Sequence, residues 1–206
     1  MLFDILALIS LLIILLMLRR LVGVCPSLMA CLIRWKESIN LETSVQLSRD
    51  RNILALTLVI PFCLVTWKFG LYSPGFIRSC NENIGLCVTL GVFMTFILIR
   101  MGLWFMLRPK KRNSKNYNTA YKAGRTFFSL LTLTLLAMGG IMSFTGTPDD
   151  SIKTAMLWVS AVIYMVFILR KFQIFVSSAS FFAGFLYLCA LELIPTGAII
   201  ASAIIL

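Results

Sequence analysis

Six long apolar runs, each close to the length of a bilayer crossing, constrain this chain more than any other feature. A helix needs about 20 mostly apolar residues to cross about 30 Å of hydrocarbon. The runs cover residues 2–22, 53–72, 85–107, 126–146, 152–170 and 180–206. Charges, Pro/Gly clusters or polar stretches bound each of them. In lipid the backbone must satisfy its own hydrogen bonds, so runs of this length read as helices and not strands. The expected fold is therefore all-α, a polytopic membrane helical bundle forming one integral-membrane domain over residues 1–206. With 60% hydrophobic and 13% charged residues, the chain has too little polar surface to coat a soluble sphere.

Loop charges give the expected orientation. Arg19, Arg20, Arg34, Lys36, Arg49 and Arg51 fall in the first loop. Arg108, Lys110, Lys111, Arg112, Lys115, Lys122 and Arg125 fall in the third, and Arg170-Lys171 opens the fifth. The second and fourth carry chiefly Arg78 and Lys153, against Glu82, Asp149 and Asp150. Lys and Arg concentrate on cytoplasmic loops, which places loops one, three and five inside and both termini outside. The first run does not read as a signal peptide, since Asp4 stands near its start and its basic pair follows the apolar stretch. It reads as a retained helix.

The stretch "LVGVCPSLMACLIRWKE" extends that first run past Pro26 and is too short to cross and return. A short interfacial helix over residues 23–37 is expected, with Leu28, Leu32 and Trp35 toward lipid and Arg34 and Lys36 at headgroups. The alternative is a longer, kinked first span.

The net charge of +11 would suggest nucleic acid in a soluble protein. Here the dense loop "RPKKRNSKNYNTAYKAGR" carries no folded nucleic-acid module and only Tyr117 and Tyr121 as aromatics. Anionic lipid headgroups are the expected partner of Arg108, Lys110, Lys111, Arg112 and Lys115, and no nucleic acid is expected. Histidine is absent and no C-x-x-C pair occurs, so no metal site, cofactor or catalytic residue is expected. Intramembrane protease, phosphatase and zinc-protease signatures lack their histidines or paired aspartates, so the chain is read as non-enzymatic. Cys80 and Cys87 flank the second loop and, in an oxidising compartment, can close a small disulfide. Alternatively Cys87 is a small apolar residue inside the third helix. The other four cysteines read as packing. Asp149-Asp150 reads as a solvated pair, with Asp150 able to cap the fifth helix. Gly139, Gly140, Ser143 and Gly146 read as a small-residue packing face on the fourth.

Glu192 is the costly residue. It lies near the centre of the last run, in "FLYLCALELIP", where an ionised carboxylate must be paired, hydrated or protonated. Cys189 at i−3 and Thr196 at i+4 share its helix face, and Pro195 lacks the N–H that would close on the Leu191 carbonyl. Arg100 lies well inside a span, about 6 Å from that helix's centre, so its side chain can reach Glu192. Lys68 lies nearer the outer face, where it can snorkel to water. The plain reading is a buried ion pair that fixes helix register. The functional readings are a proton- or substrate-coupling site and a contact with a partner.

Two stretches, "LRKFQIF" (Leu169–Phe175) and "LYLCALELIP" (Leu186–Pro195), carry a family likeness, and "INLETSVQLSRDRN" a looser one. On these motifs the chain resembles a family of Bacteroidota integral membrane proteins classed as a domain of unknown function. Thr126-Phe127-Phe128-Ser129 departs from the more polar, Asn-bearing start of that family's fourth helix. The resemblance implies an inner-membrane, multi-span fold and brings no activity or catalytic residue with it. The expected role is an accessory or assembly component of an envelope complex, with a membrane-protein partner or a second copy of the chain. The alternative is a small transporter using Glu192 with Arg100; no internal repeat of the kind many carriers show is evident.

Overall fold

A computed structural model describes residues 2–78, 80–107, 114–177 and 181–205. Among them every regular element is helical. Helix α1 spans Leu2–Ile33, followed by the short α2, Trp35–Thr43. Helices α3 (Val45–Thr57) and α4 (Val59–Lys68) meet at Leu58 and together make one apolar span. After the single turn α5 (Gly75–Arg78) come α6 (Glu82–Met106), α7 (Ser114–Phe144) and α8 (Asp149–Val176). The last span is α9 (Phe181–Leu188), a wide π turn at Cys189–Leu193 and α10 (Ile194–Ile205). Six of these helical stretches are long and apolar enough to cross a membrane.

Backbone chemistry explains the breaks. Pro61 has no N–H to close on the Thr57 carbonyl, and the helix is interrupted there, at Leu58. Ser44 starts α3 by accepting from the Leu47 N–H at 3.4 Å. Two helices stop at glycines with positive φ, Gly70 (57°) after α4 and Gly146 (70°) after α7. At Gly70 the Leu71 N–H donates to the Thr66 carbonyl, and at Gly146 the Thr147 N–H donates to the Met142 carbonyl. Both are Schellman closures, which need a residue without a Cβ penalty at that position. In α8, Asp149 and Asp150 occupy the first turn, where they favour the helix dipole, while Pro148 holds the cap position expected of Asp150.

Helices α7 and α8 form the most extensive antiparallel pair. One buried layer joins Val24, Leu28, Leu54, Leu58 and Leu130, and another joins Phe69, Leu135, Ile152 and Met156. A third, toward the α6 C-terminus, holds Ala120, Ala123, Ile174, Phe175 and Leu191. Of the expected small-residue face only Gly139 is buried; a Cβ there would sit 2.8 Å from Met156 Cε, whereas Gly140 meets nothing. Around these layers the surface is apolar, with Leu16, Phe105, Phe144 and Ile204 widely exposed, as lipid contact requires.

The first run corrects one expectation. Helix α1 runs without a break past Pro26 to Ile33, so residues 23–33 extend the span instead of forming an interfacial helix. Leu28 is fully buried, not turned to lipid, and Leu32 packs against its cluster. Packing of that face on α3 and α7 is what carries the helix on. The Trp35 side chain lies outside the described residues.

Candidate functional site

Three ionisable side chains meet inside the bundle. Arg100 projects from α6, Lys171 from α8, and Glu192 from the π turn of the last span. Arg100 Nη2 donates to Glu192 Oε1 at 2.5 Å, and Lys171 Nζ donates to the same oxygen. Lys171 is 2% exposed, Glu192 1% and Arg100 22%. The second carboxylate oxygen, Oε2, is buried and has no hydrogen-bond partner among the described residues. Formally the cluster holds two cations against one anion.

Aromatic faces complete the charge environment. Phe167 lies 5.8 Å from the Arg100 guanidinium and 5.5 Å from Lys171 Nζ, and Phe175 lies 5.8 Å from that ammonium. Ring quadrupoles attract such cations, most strongly where water is excluded. On the other side, Thr196 Oγ donates to the Glu192 backbone carbonyl, and Tyr164 Oη meets Thr196 Oγ at 2.6 Å. Since the Thr196 proton is committed to that carbonyl, Tyr164 is the donor in the second bond. Thus α8 holds the last span twice, through Lys171 and through Tyr164.

The π turn places the acid. Pro195 can offer no N–H, and just ahead of it the backbone widens so that the Ile194 N–H bonds the Cys189 carbonyl five residues back. That extra residue per turn breaks the i−3 stacking expected for Cys189. Its thiol is free, half-buried and without a hydrogen bond to the cluster. The side-chain bonds beside the proline go to the Glu192 carbonyl, not to the Leu191 carbonyl expected to be freed.

Glu192, Arg100 and Thr196 are therefore brought together, and Pro195 lies buried beside them. Lys171, Tyr164 and Phe167 are members that charge-counting along the sequence missed. Lys171 follows Arg170 at the end of an apolar run and reads as the start of a loop, yet α8 continues to Val176. The available signal was helical periodicity, since Phe167, Lys171, Ile174 and Phe175 recur at i, i+4, i+7 and i+8 and are all buried. Arg51 was assigned to a loop in the same way and is 1% exposed within α3, donating to Asn52 Oδ1 and Ser48 Oγ.

The other expected sites separate. Arg108, Lys110, Lys111 and Arg112 lie outside the described residues; Lys115 is in the first turn of α7, with its side chain outside them. Cys80 and Cys87 form no disulfide: both thiols are free. Cys80 Sγ turns back to the Phe76 carbonyl at 3.3 Å, and Cys87 lies inside α6 on its exposed face.

Fold and cluster together define a class: a helical protein with six potential membrane spans and a three-charge cluster linking three of them. No family model, characterised protein or solved structure matches the chain.

Proposed function

We propose that this chain is a non-enzymatic, multi-pass protein of a bacterial inner membrane, serving as an accessory or assembly component of an envelope complex. The observation that carries the reading is the shared Glu192 oxygen. Two cations from α6 and α8 already hold the acid in a nearly dry setting, which suits a lock between helices better than an exchanging group. A locked bundle with a broad apolar exterior is suited to packing against other membrane helices.

Mild-detergent extraction from native membranes followed by native mass spectrometry tests this. The expected result is an assembly of fixed stoichiometry, heavier than the 23.1 kDa chain. Recovery as a lone monomer across several detergents would defeat the proposal. One observation favours the transporter alternative: the buried Glu192 Oε2 lacks a partner among the described residues. A proton flux in reconstituted vesicles, lost in Glu192→Gln while the fold is retained, would establish that alternative in place of the accessory role.

A further inference from the structure

The last span is fastened unevenly along its length. Its first half packs closely. Leu188 and Leu191 are buried, and Gly184 lies so near α8 that a Cβ there would meet Phe175 Cβ at 3.3 Å. The Phe181 ring sits edge-on to Phe172 of α8 with centroids 5.2 Å apart, and Tyr187 stacks on Phe175 at 6.0 Å. At the π turn Glu192 is held by Arg100 and Lys171. Beyond it the apolar packing stops. Among the described residues of α10 only Pro195 is buried, and none joins the three buried layers. Its half-buried stripe, Thr196, Ile199, Ser202 and Ala203, is small or polar except for Ile199. A Cβ on Gly197 would meet nothing within 4 Å.

What reaches α10 instead is a pair of tyrosine hydroxyls, and the two contacts share one arrangement. Thr196 Oγ gives its proton to the Glu192 carbonyl, and Ser202 Oγ gives its own to the Ile199 carbonyl at 2.8 Å. With those protons committed, Tyr164 Oη donates to Thr196 Oγ at 2.6 Å and Tyr72 Oη to Ser202 Oγ at 2.9 Å. Tyr164 belongs to α8, and Tyr72 follows α4, buried against Phe93 of α6 with ring centroids 5.8 Å apart. Thr196 and Ser202 lie about 9 Å apart along α10 at 1.5 Å per residue. Interhelical hydroxyl bonds of this kind are weak in lipid, each worth about a threefold shift in an equilibrium. Hydroxyls that bond back onto their own helix also loosen it locally. Helices bend at prolines and π turns, and both stand here at the boundary between the packed half and the tethered half.

We infer that α10 is a hinged arm, latched by Tyr164 and Tyr72, that swings as a unit about the π turn and Pro195 while α9 and the Arg100–Lys171–Glu192 cluster stay in place. The ion cluster fixes the pivot, and the tyrosines set how often the arm is closed. This device goes beyond the accessory role, since it operates within the single chain with or without a partner.

Double electron–electron resonance in lipid nanodiscs, on a cysteine-free background, reads the hinge directly. One pair of spin labels, on Ile204→Cys and Phe144→Cys, reports α10 against α7. A second, on Leu186→Cys and Phe105→Cys, reports α9 against α6. All four positions are widely exposed, so the labels disturb little packing. The first pair should show a close and a distant population, and the second a single distance. Tyr72→Phe and Tyr164→Phe keep each ring and remove only the hydroxyl. Each should raise the distant-to-close ratio of the first pair about threefold, and together about tenfold, with the second pair unchanged. A ratio unmoved in the double variant would remove the latch. Equal shifts in both pairs would mean that the last span moves whole, and would overturn the hinge at the π turn.

Discussion

At the scale of single residues, the triad gives an ordered prediction. Removing one member of a buried ionic group costs most when it strands the others. Glu192→Gln leaves Arg100 and Lys171 facing each other without an anion, and should destabilise by about 3–5 kcal/mol. Lys171→Met leaves the Arg100–Glu192 pair, and Arg100→Gln leaves the drier Lys171–Glu192 pair, so both should cost less. Adding Lys171→Met to Glu192→Gln should recover part of the loss, because one stranded cation disappears. Thermal unfolding in detergent reads the series. An Arg100→Gln variant as damaged as Glu192→Gln would show that charge balance is not what the cluster supplies. The Glu192–Arg100 half of this site was legible because a charge inside an apolar run stands out. Lys171 was not, because adjacency to Arg170 disguised a buried position as a loop.

Elements extend further than hydropathy indicates, for a physical reason. An apolar run ends at the first charge, but a helix ends where its last carbonyls find other donors. Helix α1 shows the difference. Its run fades near Val22, yet it reaches Ile33, where Arg170 of α8 closes it: Nε donates to the Leu32 carbonyl at 3.1 Å and Nη2 to the Ile33 carbonyl at 2.8 Å. A guanidinium at a helix C-terminus both satisfies carbonyls and complements the dipole. Arg170 and Lys171 are neighbours that fasten α8 to the first and last spans respectively. Arg170→Met should therefore free the end of α1 at a cost of about 1–2 kcal/mol. Hydrogen exchange should rise over residues 30–35 and little elsewhere. Unchanged protection there would remove Arg170 from the capping role. The two breaks at prolines differ in legibility for a related reason: Pro61 and Pro195 both remove a donor, but whether the backbone kinks or widens depends on its packing, which the sequence does not display.

For the whole molecule, the number of long apolar helices was legible, because a run of bilayer length has few alternatives. Their sidedness is the part that loop charge alone predicts. An even number of crossings returns the chain to its starting side, so one orientation decides every loop. Basic residues gather between Arg19 of α1 and Arg51 of α3, around the α6–α7 connection, and at Arg170-Lys171 near the end of α8, and the positive-inside rule predicts that this end of the bundle faces the cytoplasm. Extension of the helices into those loops sharpens the expectation, since Lys122 and Arg125 now belong to α7 yet remain at its basic end. Single cysteines placed in a cysteine-free background test it, at Ser151 in the exposed first turn of α8 and at Ser114 where α7 begins. A membrane-impermeant maleimide should label Ser151→Cys in intact cells and Ser114→Cys only after permeabilisation. The reverse pattern would invert the bundle. Labelling of both positions in intact cells would mean that α7 does not cross at all.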